Sequence, residues 1–538
     1  MADDTQKKPD VIVVGGGLSG MCAAVAAAEE GARVTVLDRG FGGGASFISG
    51  GVVYAGGGTK YQAQAGYHDT PDNMFCYLKH EAGNVVDDAV LRRFCNESVS
   101  NLEWLEGHGA RFSGAMPSFR TSYPAGEYHL HYSGNEMAFS AASVAKPAPR
   151  GHRAVGQGLS EMEMTGAALW GAIYHSALRL GVRLEPAARV DKLLADSEGR
   201  VKGVGYRCLS DSAPWLVASY KWLTHSANRY QTMIPALSRL YNGVASFIWH
   251  KGAVQKCLEA PAVILAAGGF IMNDEMTRAF VPWASQTAPL GTAGDDGQGI
   301  RLGQSVRGRV SHMDRMSAWR FIYPPEALSE GIVLSPKGER LMAEDSYGAF
   351  LTEAMMKRAS GHGFLILDSL QWEKFKSQIQ VQTRGMWRFL VNYIRVWHHK
   401  SATSIEELAN KFSIDASNMR EAVEAYNKAI INSEPDPVEK VNYRSVISSP
   451  PFYGIDISVR SSGFMMVLGL TLGGLDVDGE TGMVLNEEGK TIPGLYAAGR
   501  NAVGICSNRY VSGLSLADCV FSGRRAGRHA FQNQTTWR

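Results

Sequence analysis

Residues 10–39, DVIVVGGGLSGMCAAVAAAEEGARVTVLDR, run from an apolar strand through a glycine turn into a small-residue helix, and then into a second apolar strand that ends in acid. This order is that of a βαβ dinucleotide-binding unit, because each residue type answers one demand of holding a pyrophosphate. Gly15 permits the tight turn. Gly17 lets backbone N–H groups approach phosphate at the N-terminus of the helix that begins with Leu18 and Ser19, and Gly20 lets that helix press on the strand. Asp38, followed by Arg39, can accept hydrogen bonds from ribose hydroxyls. The alternative is a plain glycine turn, and the strand-helix-strand context with its terminal acid argues against it.

The unit alone does not choose among dinucleotides. A protein that binds NAD needs little more, whereas one that buries a long FAD adds a second glycine cluster. Residues 42–58, GGGASFISGGVVYAGGG, are such a cluster. There Gly44, Ala45, Gly50 and Gly51 would let backbone press on phosphate and ring while Ser46 and Ser49 offer hydroxyls. A mobile glycine loop is the alternative reading. Residues 261–270, PAVILAAGGF, and 493–500, PGLYAAGR, each read as a buried strand with a glycine turn returning to the same sheet. They add Ala267 and Gly268, and Gly499 and Arg500, to the expected cofactor set, which Val190 and Asp296 complete. Residues 512–531 read as a helix opened by Ser515 and Leu516, whose N–H groups would suit an electron-rich flavin pyrimidine edge. An ordinary capped helix is the alternative.

With 538 residues the chain is too long for one ordinary core. A hydrophobic content of 45% with 20% charged residues describes a folded protein, and a net charge of +2 gives no reason to invoke nucleic acid. Seven scattered cysteines favour a reducing compartment and imply no metal. The polar start MADDTQKKPD offers no secretory segment, and no run of about eighteen apolar residues occurs. A cytoplasmic location is therefore expected. The charge-rich segment 275–455 reads as a substrate domain between two parts of the nucleotide fold, 1–274 and 456–538. Within it, residues 331–347 are expected to form a strand, a Lys-Gly turn and a short acidic strand, followed by helices over 404–412 and 416–432.

Together VIVVGGGLSG, SGGVVYAGGG, VILAAGGF, GERLMAEDS and IPGLYAAGR resemble the fumarate reductase and 3-ketosteroid dehydrogenase flavoprotein family over nearly the whole chain. The resemblance implies an α/β architecture, a Rossmann-like FAD-binding domain of the GR2 type interrupted by an α+β catalytic cap. It also implies oxidation or reduction of a carbon-carbon bond beside a carbonyl. FIYPPEAL at 321–328 and GICSNRYVSGLSLADCVFSGRRAG at 504–527 are most similar to the 3-ketosteroid Δ4-(5α)-dehydrogenase branch. Tyr323, Tyr510 and Ser512 stand at positions where that branch keeps two active-site tyrosines and a serine. Fumarate reductases carry a proton-donor arginine where Glu344 is here followed by Asp345, Ser346 and Tyr347, so the dicarboxylate clamp is missing. No histidine motif for covalent flavin attachment is present, which implies non-covalent FAD.

Such a reaction removes a proton beside a ketone, stabilises the enolate, and passes a hydride to flavin N5. A phenol titrates near 10 in water and must be depressed or relayed to act as base. The expected arrangement has Tyr510 as base with Ser512 as relay and Tyr323 as donor to the carbon 3 oxygen, or the two tyrosines exchanged. Core packing is the ordinary alternative for each tyrosine. Other chemistries left open are a Δ1-dehydrogenase, an enoate reductase, and a membrane-attached electron-transfer subunit. The expected partners are a 3-keto steroid and an external electron acceptor.

Residues 212–258 contain no Asp or Glu, yet hold Trp215, Trp222, Trp249, Lys221, Arg229, Arg239 and Lys251. Basic-aromatic interleaving suits peripheral contact with an anionic membrane face, and an extra subdomain or dimer contact is the equal alternative. Residues 384–400, RGMWRFLVNYIRVWHHK, repeat the character.

Overall fold

The structure is a computed structural model and describes residues 8–156, 164–209, 212–231 and 234–535. Its main sheet has six strands in the order Met483–Leu485, Thr491–Ala497, Ala262–Leu265, Val11–Val14, Val34–Leu37 and Arg183–Glu185. Neighbours run parallel except at the Met483 edge. The central segments VIVV, VTVL and AVIL are buried throughout, as a sheet covered on both faces requires. Both segments expected to return to the first sheet do so, with Ala262 beside Val11 and Leu495 beside Val263.

Helix Leu18–Glu29 packs on the C-terminal helix Leu514–Thr535. Their approach depends on glycine: a Cβ on Gly527 would lie 2.2 Å from the Ala23 carbonyl oxygen, and one on Gly523 2.5 Å from that of Ser19. This contact anchors the loop 504–513 over the carboxyl ends of the parallel strands, where open α/β sheets bind ligands. The C-terminal helix begins at Leu514, so Ser515 lies inside its first turn instead of capping it.

A second sheet, antiparallel, runs in the order Ile332–Leu334, Phe364–Leu367, Phe452–Asp456, Lys400–Ala402. Helices Ile405–Phe412 and Ala416–Ile431 cover it, capped by the side chains of Ser404 and Asp415. The short acidic strand expected before residue 347 is absent: beyond an isolated bridge from Leu334 to Arg340, this stretch is loop. Buried charge holds it instead of a ladder. Arg340 pairs with Glu344 at 2.7 Å and with Asp436 at 2.6 Å, and the buried Lys440 donates to the Gly331 carbonyl at 2.7 Å.

The acid-free segment is a helical hairpin, Pro214–Tyr230 and Pro235–Gly252, set between two antiparallel strands, Val201–Cys208 and Val254–Glu259. Ser212 closes its base by donating to the Gly252 carbonyl at 2.9 Å. One face packs on the protein through Tyr220, Leu223, Ala245 and Trp249 against Ala187 and Leu209. Among the described residues no helix is long and apolar enough to cross a membrane.

Candidate active site

Gly15 has φ +105°, and a Cβ there would sit 2.5 Å from the Ala266 carbonyl oxygen; on Gly20 it would meet the Gly15 oxygen at 1.9 Å. Both positions therefore admit only glycine. Gly17 differs, because a Cβ there would meet nothing nearer than Gly43 O at 3.8 Å and Ser46 Oγ at 3.9 Å. The space beside Gly17 is a cradle at the start of a helix whose N-cap residue, this glycine, has no side chain to cap it. Leu18 N–H donates to Ser46 Oγ at 3.2 Å, which ties the second glycine cluster to the first. Ser49 in turn donates to the Ser46 carbonyl at 2.7 Å, and Gly44, Ala45, Ser46 and Phe47 form one short helical turn. Gly50 O accepts from the Tyr123 hydroxyl at 2.8 Å, and Gly51 has φ +69°.

Asp38 accepts backbone N–H bonds from Gly16 at 2.7 Å, Gly40 at 2.8 Å and Gly42 at 3.0 Å. Its carboxylate thus staples the two glycine loops together, a task the sequence did not reveal. Arg39 pairs with Asp296 at 2.6 Å, and Gln298, two residues on, reaches Val190 O at 3.4 Å. Three expected cofactor residues far apart in sequence, Arg39, Val190 and Asp296, therefore gather at one edge. The inserted hairpin closes the same edge: Tyr220 donates to Arg39 O at 3.1 Å, and the Phe41 ring lies 6.3 Å from that of Tyr220.

At the other end, Asn501 ties down Ala267 and Gly268, donating to Gly268 O at 3.0 Å while accepting from Ala267 N–H. Asp295 pairs with Arg500 at 2.7 Å and accepts from Gly269 N–H at 3.2 Å. Arg500 keeps Nη1 buried with no hydrogen-bond partner. A Cβ on Gly499 would meet Ser19 Oγ at 2.6 Å, so this turn presses on the first helix. An orphaned guanidinium nitrogen and a cradle beside an uncapped helix fit a long dianionic dinucleotide lying along this groove, with Ser515 and Leu516 at its far end.

Over that far end lies a cluster of hydroxyls. Tyr510 packs against Trp319 edge-on, ring centroids 5.0 Å apart. Ser512 N–H donates to Ser133 O at 3.3 Å. Tyr347 is buried, its N–H donating to Asn135 Oδ1 at 2.6 Å, and its phenol stands close enough to Tyr510 and Ser512 to feel both electrostatically. Tyr323 is buried too, its hydroxyl donating to the Ser346 carbonyl at 3.4 Å. Burial, then the neighbouring Tyr510, pushes the Tyr347 phenol well above its ordinary value, and the nearby Ser512 hydroxyl opposes that rise. Burial, then Cys506, likewise pushes Tyr510 up, and burial raises Tyr323. All three are neutral donors at neutral pH. Sequence reasoning passed over Tyr347, naming it only as the residue where an arginine is missing.

Beneath the cluster, Asn135 donates to the buried Glu81 at 2.8 Å. Burial pushes the Glu81 carboxyl up to about 8 against the Asn135 bond that opposes it. An acid raised by folding stays protonated while its unfolded counterpart ionises, so stability falls as pH rises from about 4.5 to about 8. Glu81→Gln, which keeps an acceptor for Asn135, should raise Tm by a few degrees at pH 8.5 and change it little at pH 5. Equal shifts at both pH values would contradict the buried neutral acid.

A parallel sheet with a pyrophosphate cradle, opened under a cluster of neutral phenols, defines a flavin-dependent oxidoreductase. The model of the FAD binding domain family matches residues 10–516. The chain is 37% identical over 515 residues to the 3-oxo-5-alpha-steroid 4-dehydrogenase of Comamonas testosteroni, covering 93% of this chain and 94% of the relative. The structure of the 3-ketosteroid-delta4-(5alpha)-dehydrogenase of Rhodococcus jostii, in complex with 4-androstene-3,17-dione, superposes with a TM-score of 0.82. It is 30% identical and covers 98% of this chain and 99% of that one. A fumarate reductase of Shewanella frigidimarina is 23% identical over 97% of this chain and 76% of its own length. This chain belongs to that family of FAD-binding flavoproteins and is an FAD-dependent oxidoreductase.

Proposed function

We propose that the chain is a 3-ketosteroid dehydrogenase that forms the carbon 4–carbon 5 double bond of 3-keto-5α-steroids. The observation that carries this reading is the meeting of the Tyr510, Ser512 and Tyr347 hydroxyls over the flavin end of the groove. The names of the Comamonas and Rhodococcus relatives support it. FAD, held without a covalent bond, supplies the hydride acceptor. The protein's part is the proton. Burial holds the Tyr510 phenol neutral, which suits it to donate to the carbon 3 oxygen and stabilise the enolate. Tyr347 in its phenolate form is the base: Ser512 Oγ takes the carbon 4 proton as the Ser512 proton passes to the Tyr347 oxygen, which leaves Tyr347 neutral and the electron pair on the enolate. This divides the work differently from the expectation that made Tyr510 the base. Tyr323 becomes a positioning residue that holds the Ser346 carbonyl behind Tyr347.

Anaerobic mixing of the yellow protein with a panel of ketosteroids tests the reading. Saturated 3-keto-5α-steroids should bleach the flavin and lose two hydrogens. Bleaching by 4-ene-3-ketosteroids alone would point to Δ1 chemistry. Reoxidation of the reduced protein by fumarate alone would point to an enoate reductase. FAD that stays attached to peptide after acid treatment would overturn non-covalent binding.

The same reading includes a division into a nucleotide fold, 1–274 and 456–538, around a cap at 275–455, supported by separate apolar cores. It includes an external electron acceptor and peripheral contact of the hairpin with an anionic membrane. Trp215, Trp222, Leu240 and Phe247 support the contact, being 60–69% exposed on an acid-free hairpin. Because Tyr220 reaches Arg39 and His225 packs on Phe47, deleting the hairpin would strip the cofactor loop. Substitution is cleaner. Trp215→Ser, Trp222→Ser and Phe247→Ser together should cut cosedimentation with phosphatidylglycerol vesicles about tenfold while FAD content stays full. Undiminished cosedimentation would remove the membrane reading.

A further inference from the structure

Arg120 lies on a loop where the nucleotide-binding part meets the cap. Within that loop, Tyr123 donates to Gly50 O at 2.8 Å, on the second glycine cluster, and Ser122 donates to the Tyr323 carbonyl at 3.3 Å. The Arg120 backbone N–H donates to Glu326 at 3.2 Å, so the loop is clamped on both sides of the seam. The guanidinium is stacked over the Tyr323 ring at 4.4 Å and stands 5.9 Å from the ring of Tyr443. Both terminal nitrogens, Nη1 and Nη2, are buried and have no acceptor.

Among the described residues, Arg120 is the one arginine with both terminal nitrogens in that condition. Arg150 is ion-paired with Asp69 and Arg340 with Glu344 and Asp436, and the buried Arg320 donates to the carbonyls of Ser458 and Met465. A guanidinium keeps its charge in a protein, and buried donors left without an acceptor are costly. The aromatic faces on either side satisfy its plane and leave its in-plane fork of donors open. A planar fork of this kind is matched by a carboxylate, which takes two parallel bonds. Tyr323 links the fork to the hydroxyl cluster, its ring under the guanidinium and its hydroxyl on the Ser346 carbonyl next to Tyr347.

We propose that Arg120 receives a carboxylate carried on the side chain of the 3-keto steroid, which makes acidic steroids the preferred substrate class. This rests on the desaturation reading for the ketone end only. The test is an equilibrium titration of the holoenzyme, followed by the flavin spectrum, with a 3-keto-5α-cholanoic acid and with its uncharged methyl ester. The acid should bind about ten- to a hundredfold tighter than the ester, the gain a charge-assisted bond to a buried partner brings. In Arg120→Gln that ratio should collapse toward one, and in Arg120→Lys, which keeps the charge without the fork, it should fall part way. Equal binding of acid and ester by the wild-type protein would overturn the proposal, whatever the variants do. Preferential binding of the acid without flavin bleaching would keep the subsite and overturn the desaturation reading. Turnover of the ester and acid with equal KM would do the reverse.

Discussion

Gly17→Leu should give a colourless, folded protein. The expectation follows from what surrounds each glycine of the first turn. A side chain at Gly20 or Gly15 would collide with backbone, at 1.9 Å and 2.5 Å, and would break the strand-helix junction itself. At Gly17 the backbone has φ −71° and ψ −176°, an extended conformation that any residue adopts. The protein offers room there, with the nearest atoms at 3.8 Å and 3.9 Å. A leucine therefore costs the apoprotein little and fills the cradle in which N–H groups would meet pyrophosphate. FAD affinity should fall at least about a hundredfold, because the loss is steric and cannot be relieved without moving the helix. The readouts are flavin absorbance per protein and the Tm of the apoprotein. Gly17→Leu purifying with stoichiometric FAD would show that the pyrophosphate lies elsewhere. Gly20→Leu, in contrast, should fail to fold at all.

What could be read in the sequence is what depends on local pattern. The βαβ unit, the returning strands at Ala262 and Leu495, and the capped helices after Ser404 and Asp415 each announce themselves through periodicity or through a residue whose backbone geometry is special. What escaped depends on partners brought together by the fold. Asp38 has the right place for a ribose ligand, and only the structure shows its carboxylate already engaged by three backbone amides. Asp295 and Asp296 are adjacent and indistinguishable in sequence, yet they face different arginines, Arg500 and Arg39. The acid-free insertion was visible as a composition, whereas its division into a face packed by Tyr220 and Trp249 and a face exposing Trp215 and Trp222 needs two helices in register. Residues 340–347 look like a strand because Leu341 and Met342 are apolar. The buried pairs of Arg340 with Glu344 and Asp436 bend them into the loop that delivers Tyr347.

That delivery underlies the second large expectation, which separates two tyrosines that the sequence cannot tell apart. Tyr347 lies close to Ser512 and to Tyr510, which packs against Trp319, whereas the Tyr323 hydroxyl donates to the Ser346 carbonyl. Loss of one positioned acid-base group commonly costs about a hundredfold to ten-thousandfold. Tyr510→Phe, Tyr347→Phe and Ser512→Ala should each lose turnover on that scale while keeping full FAD, since none of the three hydroxyls holds the nucleotide fold together. Tyr323→Phe should lose less than about tenfold, the effect of a loosened support. The losses should not add, because Ser512 and Tyr347 act as one relay: the double variant should be little worse than either single. Since burial raises the phenols, wild-type turnover should go on climbing with pH past the range where an exposed tyrosine titrates. Near-normal turnover in Tyr347→Phe together with an inactive Tyr323→Phe would restore Tyr323 to the reacting centre and dismiss the Ser512–Tyr347 relay.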